Sequence, residues 1–375
     1  MYDREQLLAI FRKLITEFRL KGTLEDYHSV GVGNINDTYI MSTCTEDGTH
    51  SRYTVQRLNH KVFLHPEQVA ENAYAVTTHM ERKRMQERGA EPHGQVLRLY
   101  RREDGSFFFR WKNGDYWRVL SYIDGSCFAD TSDLRILYGT GYAFGQFQRD
   151  LADFLPETLH ITIPHFHDTP GRFAALKASA ARNAAGRAEE VREELDYLLS
   201  MESCVSLLQS LHTAGRLPLR VVHNDTKSNN VIFHELTGVP LAVIDLDTVM
   251  PGYMAHDFGD AVRFACNTAA EDEEELSKVS LDTERYRALA KGFVTPLLGI
   301  LTKTELRTLP YGVLIITLEL AARFLTDYLD GDVYFKCQKE HHNLIRARCQ
   351  IALAKDISSK LGELGRLLQS VVVQN

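Results

Sequence analysis

The chain has 375 residues, 44% hydrophobic and 25% charged, which is the composition of an ordinary globular protein with enough apolar material for a core. A net charge of −7 with no basic stripe argues against a nucleic-acid partner. Cys44, Cys127, Cys204, Cys266, Cys337 and Cys349 are scattered without C-x-x-C spacing, so reduced thiols and a cytoplasmic location are expected. The opening Met1-Tyr-Asp-Arg-Glu lacks the basic-then-apolar pattern of a signal peptide, and no uninterrupted apolar run approaches a membrane span. No membrane partner is expected, and the chain is read as a monomer or weak oligomer of two or three folding units.

In chain order, residues 2–19 form an amphipathic helix with Leu7, Phe11, Leu14 and Phe18 on one face. Ser29-Val-Gly31-Val-Gly33-Asn34-Ile-Asn36 is a glycine-containing turn between extended stretches, able to turn backbone N–H groups towards an anion. Residues 53–58 alternate like a strand and carry Arg57. Pro66 opens a helix over 66–88 that carries Glu67 and Glu71. Residues 96–100 and 106–111 read as hairpin strands, and 117–125 as a strand ending in Asp124-Gly125.

Gly139-x-Gly141-x-x-x-Gly145 lies inside a helical pattern, so it is not a dinucleotide-binding loop; Gly141 and Gly145, four apart, instead allow another helix to approach closely. There is no G-x-x-x-x-G-K-[S/T], which argues against a P-loop kinase. His165 and His167 lack further ligands at metal spacing and are expected in a loop; 171–202 reads as solvated helix, and 202–214 as a helix leading into a strand. Glu271-Asp-Glu-Glu-Glu275 is taken as a solvated loop or helix start. Residues 311–329 are long and apolar enough for a buried helix; Glu319, Arg323 and Asp327 form one polar stripe on it, expected to face a polar cleft.

The stretch carrying chemistry is Val221-Val-His223-Asn-Asp225-Thr-Lys227-Ser-Asn-Asn230-Val-Ile-Phe233. The turn Glu235-Leu-Thr-Gly238 and a second apolar run over 241–244, ending in Asp245, follow it. The runs at 231–233 and 241–244 make a β-hairpin, which brings Asn230 and Asp245 to the same end, where Asp225 also lies. Two carboxylates and a carboxamide converging beside Lys227 suit Mg²⁺ held against phosphate oxygens.

His223-x-Asp225-x4-Asn230 followed by Ile244-Asp245 resembles the aminoglycoside phosphotransferase and choline kinase branch of the protein-kinase-like fold. The wording His-Asn-Asp-Thr-Lys, Ile-Asp-Leu-Asp-Thr-Val-Met-Pro-Gly, Asp-Phe-Gly-Asp-Ala-Val-Arg and Arg323-Phe-Leu-Thr-Asp-Tyr-Leu-Asp-Gly-Asp-Val-Tyr-Phe-Lys336 is similar, more narrowly, to N-acetylhexosamine 1-kinases. The resemblance implies an α+β, two-lobe fold: a β-rich nucleotide-binding lobe over 1–124 and a mostly helical catalytic and substrate-binding lobe over 125–375. It implies ATP as co-substrate and Mg²⁺ as cofactor, with phosphate transferred to the anomeric hydroxyl of an N-acetylhexosamine, N-acetylglucosamine or N-acetylgalactosamine.

In that frame Asp225 accepts or orients the hydroxyl proton and Lys227 offsets charge. Asn230 and Asp245 hold the metal, and Asp247 supports them through water. Gly31 and Gly33 belong to the loop covering the phosphates. Arg57 stands where the fold usually has a phosphate-binding Lys, with Glu71 as its partner and Glu67 as the alternative. Ser121 and Ile123 flank the linker that reads adenine, and Phe264, Arg323 and Tyr334 line the sugar site. Asp257, although it begins Asp-Phe-Gly, lies twelve residues past the hairpin and is read as structural. Two other readings remain open: a kinase of the same fold acting on choline, an aminoglycoside or another alcohol, and a catalytically dead nucleotide-binding module kept in view by the unusual Arg57.

Overall fold

The computed structural model describes residues 2–32, 36–60, 63–88, 95–128 and 131–374. The N-terminal part is helix α1 (Arg4–Glu17) against an antiparallel sheet. Its strands are β1 (Thr23–Val32), β2 (Asp37–Cys44), β3 (His50–Leu58), β4 (Phe109–Arg110) and β5 (Tyr116–Ser121), in the order β1-β2-β3-β5-β4. Alternation decides its faces. Tyr53 and Val55 of β3 and Trp117 and Val119 of β5 pack under Leu7, Ile10, Phe11 and Leu14 of α1. The intervening residues, Gln56 and Arg118 among them, face the other way. Asp3 caps α1 in a reciprocal capping box with Gln6, satisfying the helix's first free donors.

Helix α2 (Pro66–Arg88) covers that second face. Ala73, Val76 and Met80 of α2 join Leu120, Ile123, Phe147, Val221, Leu246 and Val249 in one apolar cluster that spans the sheet and the helical part. The expected strand over 96–100 is reduced to a single bridge, Leu99 to Leu120, beside the short β4.

The C-terminal part is mostly helical. Its helices are α3 (Leu134–Asp150), α4 (Thr169–Arg182), α5 (Arg192–Ser200), α6 (Glu202–Val205), α7 (Leu207–Thr213), α8 (Met254–Cys266), α9 (Thr283–Val294), α10 (Lys303–Asp330) and α11 (His342–Gln374). The helix expected over 202–214 is thus broken in two. Two short ribbons sit among these helices. β6 (Arg220–Val222) pairs with β9 (Met250–Gly252), and β7 (Val231–Phe233) with β8 (Pro240–Val243).

α10 is long and apolar enough to cross a membrane, yet 83% of its most apolar window is buried inside the protein, which makes it a core helix. Gly141 and Gly145 of α3 lie so close to α9 that a Cβ on either would stand 2.1 Å from the carbonyl oxygen of Leu289 or Phe293. Only glycine permits that approach.

Candidate active site

β6 delivers the chain into the loop 223–230, and the start of α8 holds that loop from behind. Asp257 Oδ2 and Oδ1 accept the backbone N–H groups of His223 and Asn224, each at 2.8 Å. Asp260 Oδ2 accepts that of Thr226 at 3.1 Å, and Thr226 Oγ1 donates to Asp257 O at 2.6 Å. Asp257 is therefore wholly occupied with loop backbone and with Gln148 Nε2. The His223 ring lies edge-on between Phe144 and Phe147. Its Nδ1 accepts the Asp225 N–H at 3.3 Å and its Nε2 donates to Ile244 O at 2.9 Å, tying the loop to the strand end that carries Asp245. Asn224 and Asp245 have φ of 66° and 59°, left-handed values that cost a non-glycine residue energy and persist here because the surrounding bonds over-determine them.

Asp225 Oδ1 is 2.8 Å from Lys227 Nζ. Asn230 Nδ2 donates to Asp225 O at 2.8 Å and to Asp225 Oδ2 at 3.2 Å. With its nitrogen so used, the amide oxygen of Asn230 is left as an acceptor. Ile244 N–H donates to Asn230 O at 2.9 Å, closing the hairpin end, and Asp245 is the next residue. The Asp245 side chain makes no hydrogen bond among the described residues. The protein around it, then the charges of Asp247 and Asp225, raise its carboxyl to about 6. Acids crowded in this way favour a cation between them. A carboxylate and an amide oxygen without protein partners are the hard donors Mg²⁺ takes, so the residues present fit that ion. Burial would lower the pKa of Lys227, but the charges of Asp225 and Asp260 raise it above the ordinary lysine value, so it stays a cation.

The cation presented to this centre by the sheet is not Arg57. Arg57 shares the face of Tyr53 and Val55, away from the metal loop, and is bound to Asp37 at 2.8 Å and Asp115 at 3.0 Å. Glu71 does not partner it either; Glu71 pairs with His160 at 2.9 Å. Period-two alternation instead aims Arg118 of β5, one register row away, at the loop. Arg118 Nη1 and Nη2 donate to Asp247 Oδ1 and Oδ2 at 2.6 and 2.9 Å, with both groups almost wholly buried. Asn36 Nδ2 donates to Asp247 Oδ2 at 2.8 Å, and Gln56 Oε1 accepts from Arg118 Nε and Nη2. Asp247 is thus clamped directly by the sheet. The available signal for Arg118 was one arginine between Trp117 and Val119 in an otherwise apolar strand.

Ser121 is committed elsewhere: its N–H donates to Arg98 O and its hydroxyl accepts the Arg98 N–H. From Tyr122 to Gly125, through Ile123, the backbone makes no hydrogen bond among the described residues, which leaves its N–H and C=O groups available to a planar ligand. Gly31 is the next-to-last residue of β1, inside the β1–β2 register shift between Ser29 and Val32, and Val32 pairs with Asp37. Gly33 lies outside the described residues.

Beside Asp225 and Lys227 a cavity of about 940 Å³ opens into the helical part. Phe264 and Arg323 line it, and Arg323 is stacked 5.4 Å from the centroid of Phe335. Among the described residues the Arg323 guanidinium has no hydrogen bond or ion pair. Tyr334 does not line the cavity; the residue is 73% exposed and the neighbouring Phe335 takes the wall position. Asp327 sets this register, accepting the N–H groups of Val333, Tyr334 and Phe335. So of the expected polar stripe only Arg323 is free. Glu319 is bound at the cavity floor to His167 at 3.0 Å and Thr169 at 2.7 Å. His167 lies in a turn, as expected, but its side chain is only 13% exposed and also lines the cavity. Glu271, from the acidic run, reaches the rim and pairs with Arg263 at 3.3 Å.

Solved structures share this architecture. A microcompartment-associated aminopropanol kinase superposes with a TM-score of 0.62 at 14% identity, covering 95% of this chain and 98% of its own. The choline kinase of Cryptosporidium parvum Iowa II gives 0.56 at 16% identity over 100% of both chains. The ethanolamine kinase of Plasmodium vivax gives 0.56 at 12% identity, covering 92% and 89%. At such identities the likeness speaks for the fold, which is protein-kinase-like: α+β, with an antiparallel-sheet lobe and a helical lobe. Residues 26–289 match the phosphotransferase enzyme family. The chain belongs to that family, and is a small-molecule phosphotransferase.

Proposed function

We propose that this enzyme transfers the γ-phosphoryl group of ATP to the anomeric hydroxyl of an N-acetylhexosamine. The observation that carries the choice of acceptor is the state of the charges around the cavity. Arg323 is uncommitted, whereas Asp260 is bound to Arg263, Glu319 to His167 and Glu271 to Arg263. Choline, ethanolamine and aminopropanol, the acceptors named for the fold's neighbours, carry cationic nitrogen, which seeks free carboxylates or an aromatic cage. An uncharged sugar with an amide seeks donors such as Arg323 and an apolar wall such as Phe335.

In this reading the hydroxyl lies against Asp225, which takes up or orients its proton. An anomeric hydroxyl is more acidic than an ordinary alcohol, so positioning supplies much of the effect. Lys227, 2.8 Å from Asp225, stays charged and offsets negative charge as the phosphoryl group passes. Asn230 and Asp245 would hold Mg²⁺, which when bound neutralises phosphate oxygens. The unbonded backbone at 122–125 receives the adenine, and that linker divides a nucleotide-binding lobe from the catalytic lobe. The gathering of Asp225, Asn230 and Asp245 at one hairpin end supports an active enzyme over an inactive nucleotide-binding module.

A second reading, a larger acceptor such as an aminoglycoside, is favoured by the 940 Å³ cavity, which exceeds the needs of one sugar ring. The deciding experiment is a turnover assay with Mg²⁺ and ATP across N-acetylglucosamine, N-acetylgalactosamine, glucose, choline and an aminoglycoside. Phosphorus coupling to the anomeric proton of an N-acetylhexosamine product supports the proposal. Phosphate on C6, or turnover only of an amine-bearing alcohol, refutes it.

A further inference from the structure

Beneath the catalytic loop lies a buried charge relay that the mechanism above does not use. His167 sits between two acceptors: Nδ1 faces Glu319 Oε1 at 3.0 Å, and Nε2 faces the backbone carbonyl oxygen of Asn224 at 3.4 Å. A neutral imidazole has one N–H, so one of these contacts would then set a lone pair against an oxygen. Only the doubly protonated ring serves both. We propose that His167 is a positioning residue that acts as a buried imidazolium, anchored by Glu319 and gripping the carbonyl of Asn224, so that Asp225, the next residue, is held in place for proton transfer.

The surroundings agree. Glu319 on α10 is 3% exposed at its side chain, and its second oxygen accepts from Thr169 Oγ1, so the carboxylate has little freedom to leave His167. Asp260 on α8, paired with Arg263, adds a second negative charge facing the ring. His256, also on α8, lies 5.1 Å from His167 between centroids; burial and then the neighbouring imidazolium hold it near 3, so it is neutral, and its Nε2 has no hydrogen-bond partner among the described residues. The pair therefore carries one charge, and it sits on His167. Burial alone would lower the pKa of His167, but Glu319 and Asp260 raise it above the ordinary histidine value.

The sign of the pH dependence follows. Below the raised pKa both N–H groups are present and the loop is held. As pH rises through it, one contact is lost and turnover falls. Because the inference rests on Asp225 as proton acceptor, its test has two independent arms. The first is nitrogen–proton NMR of the histidine rings in the full chain, which requires no substrate. Two N–H groups on His167 at pH 7 are expected, and a neutral ring there would overturn the proposal.

The second is kcat against pH, with whichever acceptor turns over, for the wild type, His167→Gln and Glu319→Gln. His167→Gln should lower kcat about 10- to 100-fold with acceptor KM nearly unchanged and should erase the alkaline fall. Glu319→Gln, which removes the charge supporting the imidazolium, should move that fall to lower pH. An alkaline fall identical in all three proteins would refute the proposal. Absence of turnover on every acceptor would refute the role assigned to Asp225, and the NMR arm would still decide the state of His167.

Discussion

The bond between Arg118 and Asp247 allows a quantitative test of how the two lobes are joined. In Arg118→Met the sheet loses both donors to Asp247, whose carboxylate is about 3% exposed and, among the described residues, keeps only Asn36 Nδ2. Removing one partner of a buried pair strands the other charge and costs roughly 3–5 kcal/mol, well above the ~1 kcal/mol ceiling of an exposed bridge. Gln56 also loses the donors to its Oε1, which adds to the cost. The double variant Arg118→Met/Asp247→Leu removes both charges and should recover most of the loss. Thermal and urea unfolding of the ligand-free protein, followed by circular dichroism, measures both. Because Asp247 lies two residues beyond Asp245, turnover should fall in the single variant by more than the stability loss alone accounts for. A cost below about 1 kcal/mol for Arg118→Met, or a double variant no more stable than the single one, would refute the reasoning.

Asp225→Asn should lower kcat by about 10²- to 10⁴-fold while ATP affinity, measured by calorimetry, is retained; near-normal turnover would remove Asp225 from its assigned role. Arg323→Ala should raise acceptor KM about 10- to 100-fold, as expected for losing a charged hydrogen bond, and leave the KM for ATP within twofold. Gly141→Ala places a Cβ 2.1 Å from Leu289 O and should lower stability by about 1–3 kcal/mol or more through separation of α3 from α9, read by thermal unfolding.

Much of the geometry of the loop 223–230 was legible because it is local. Asp225, Asn230 and Asp245 are joined by one short hairpin, and hairpin pairing follows from the apolar runs and the turn between them. The same locality made Gly141 and Gly145 readable as a helix contact. Arg57 was misplaced because its type suited a phosphate, while its row on β3 faces α1 and not the loop. Tyr334 was one residue off because Asp327, accepting three backbone N–H groups, sets which ring turns inward.

The wording of the loop pointed to the α+β fold through its resemblance to a known family, and short-range pattern placed Asn230 and Asp245 at one hairpin end, since hairpin pairing depends on local spacing. Tertiary structure alone decided which cation serves the centre, which carboxylates are spent and which histidine lies beneath the loop. Arg118 meets Asp247 across 129 positions of sequence, and His167 meets Glu319 across 152. Partners so far apart are chosen by how the sheet and helices pack, and burial then sets the strength and charge state of what they form.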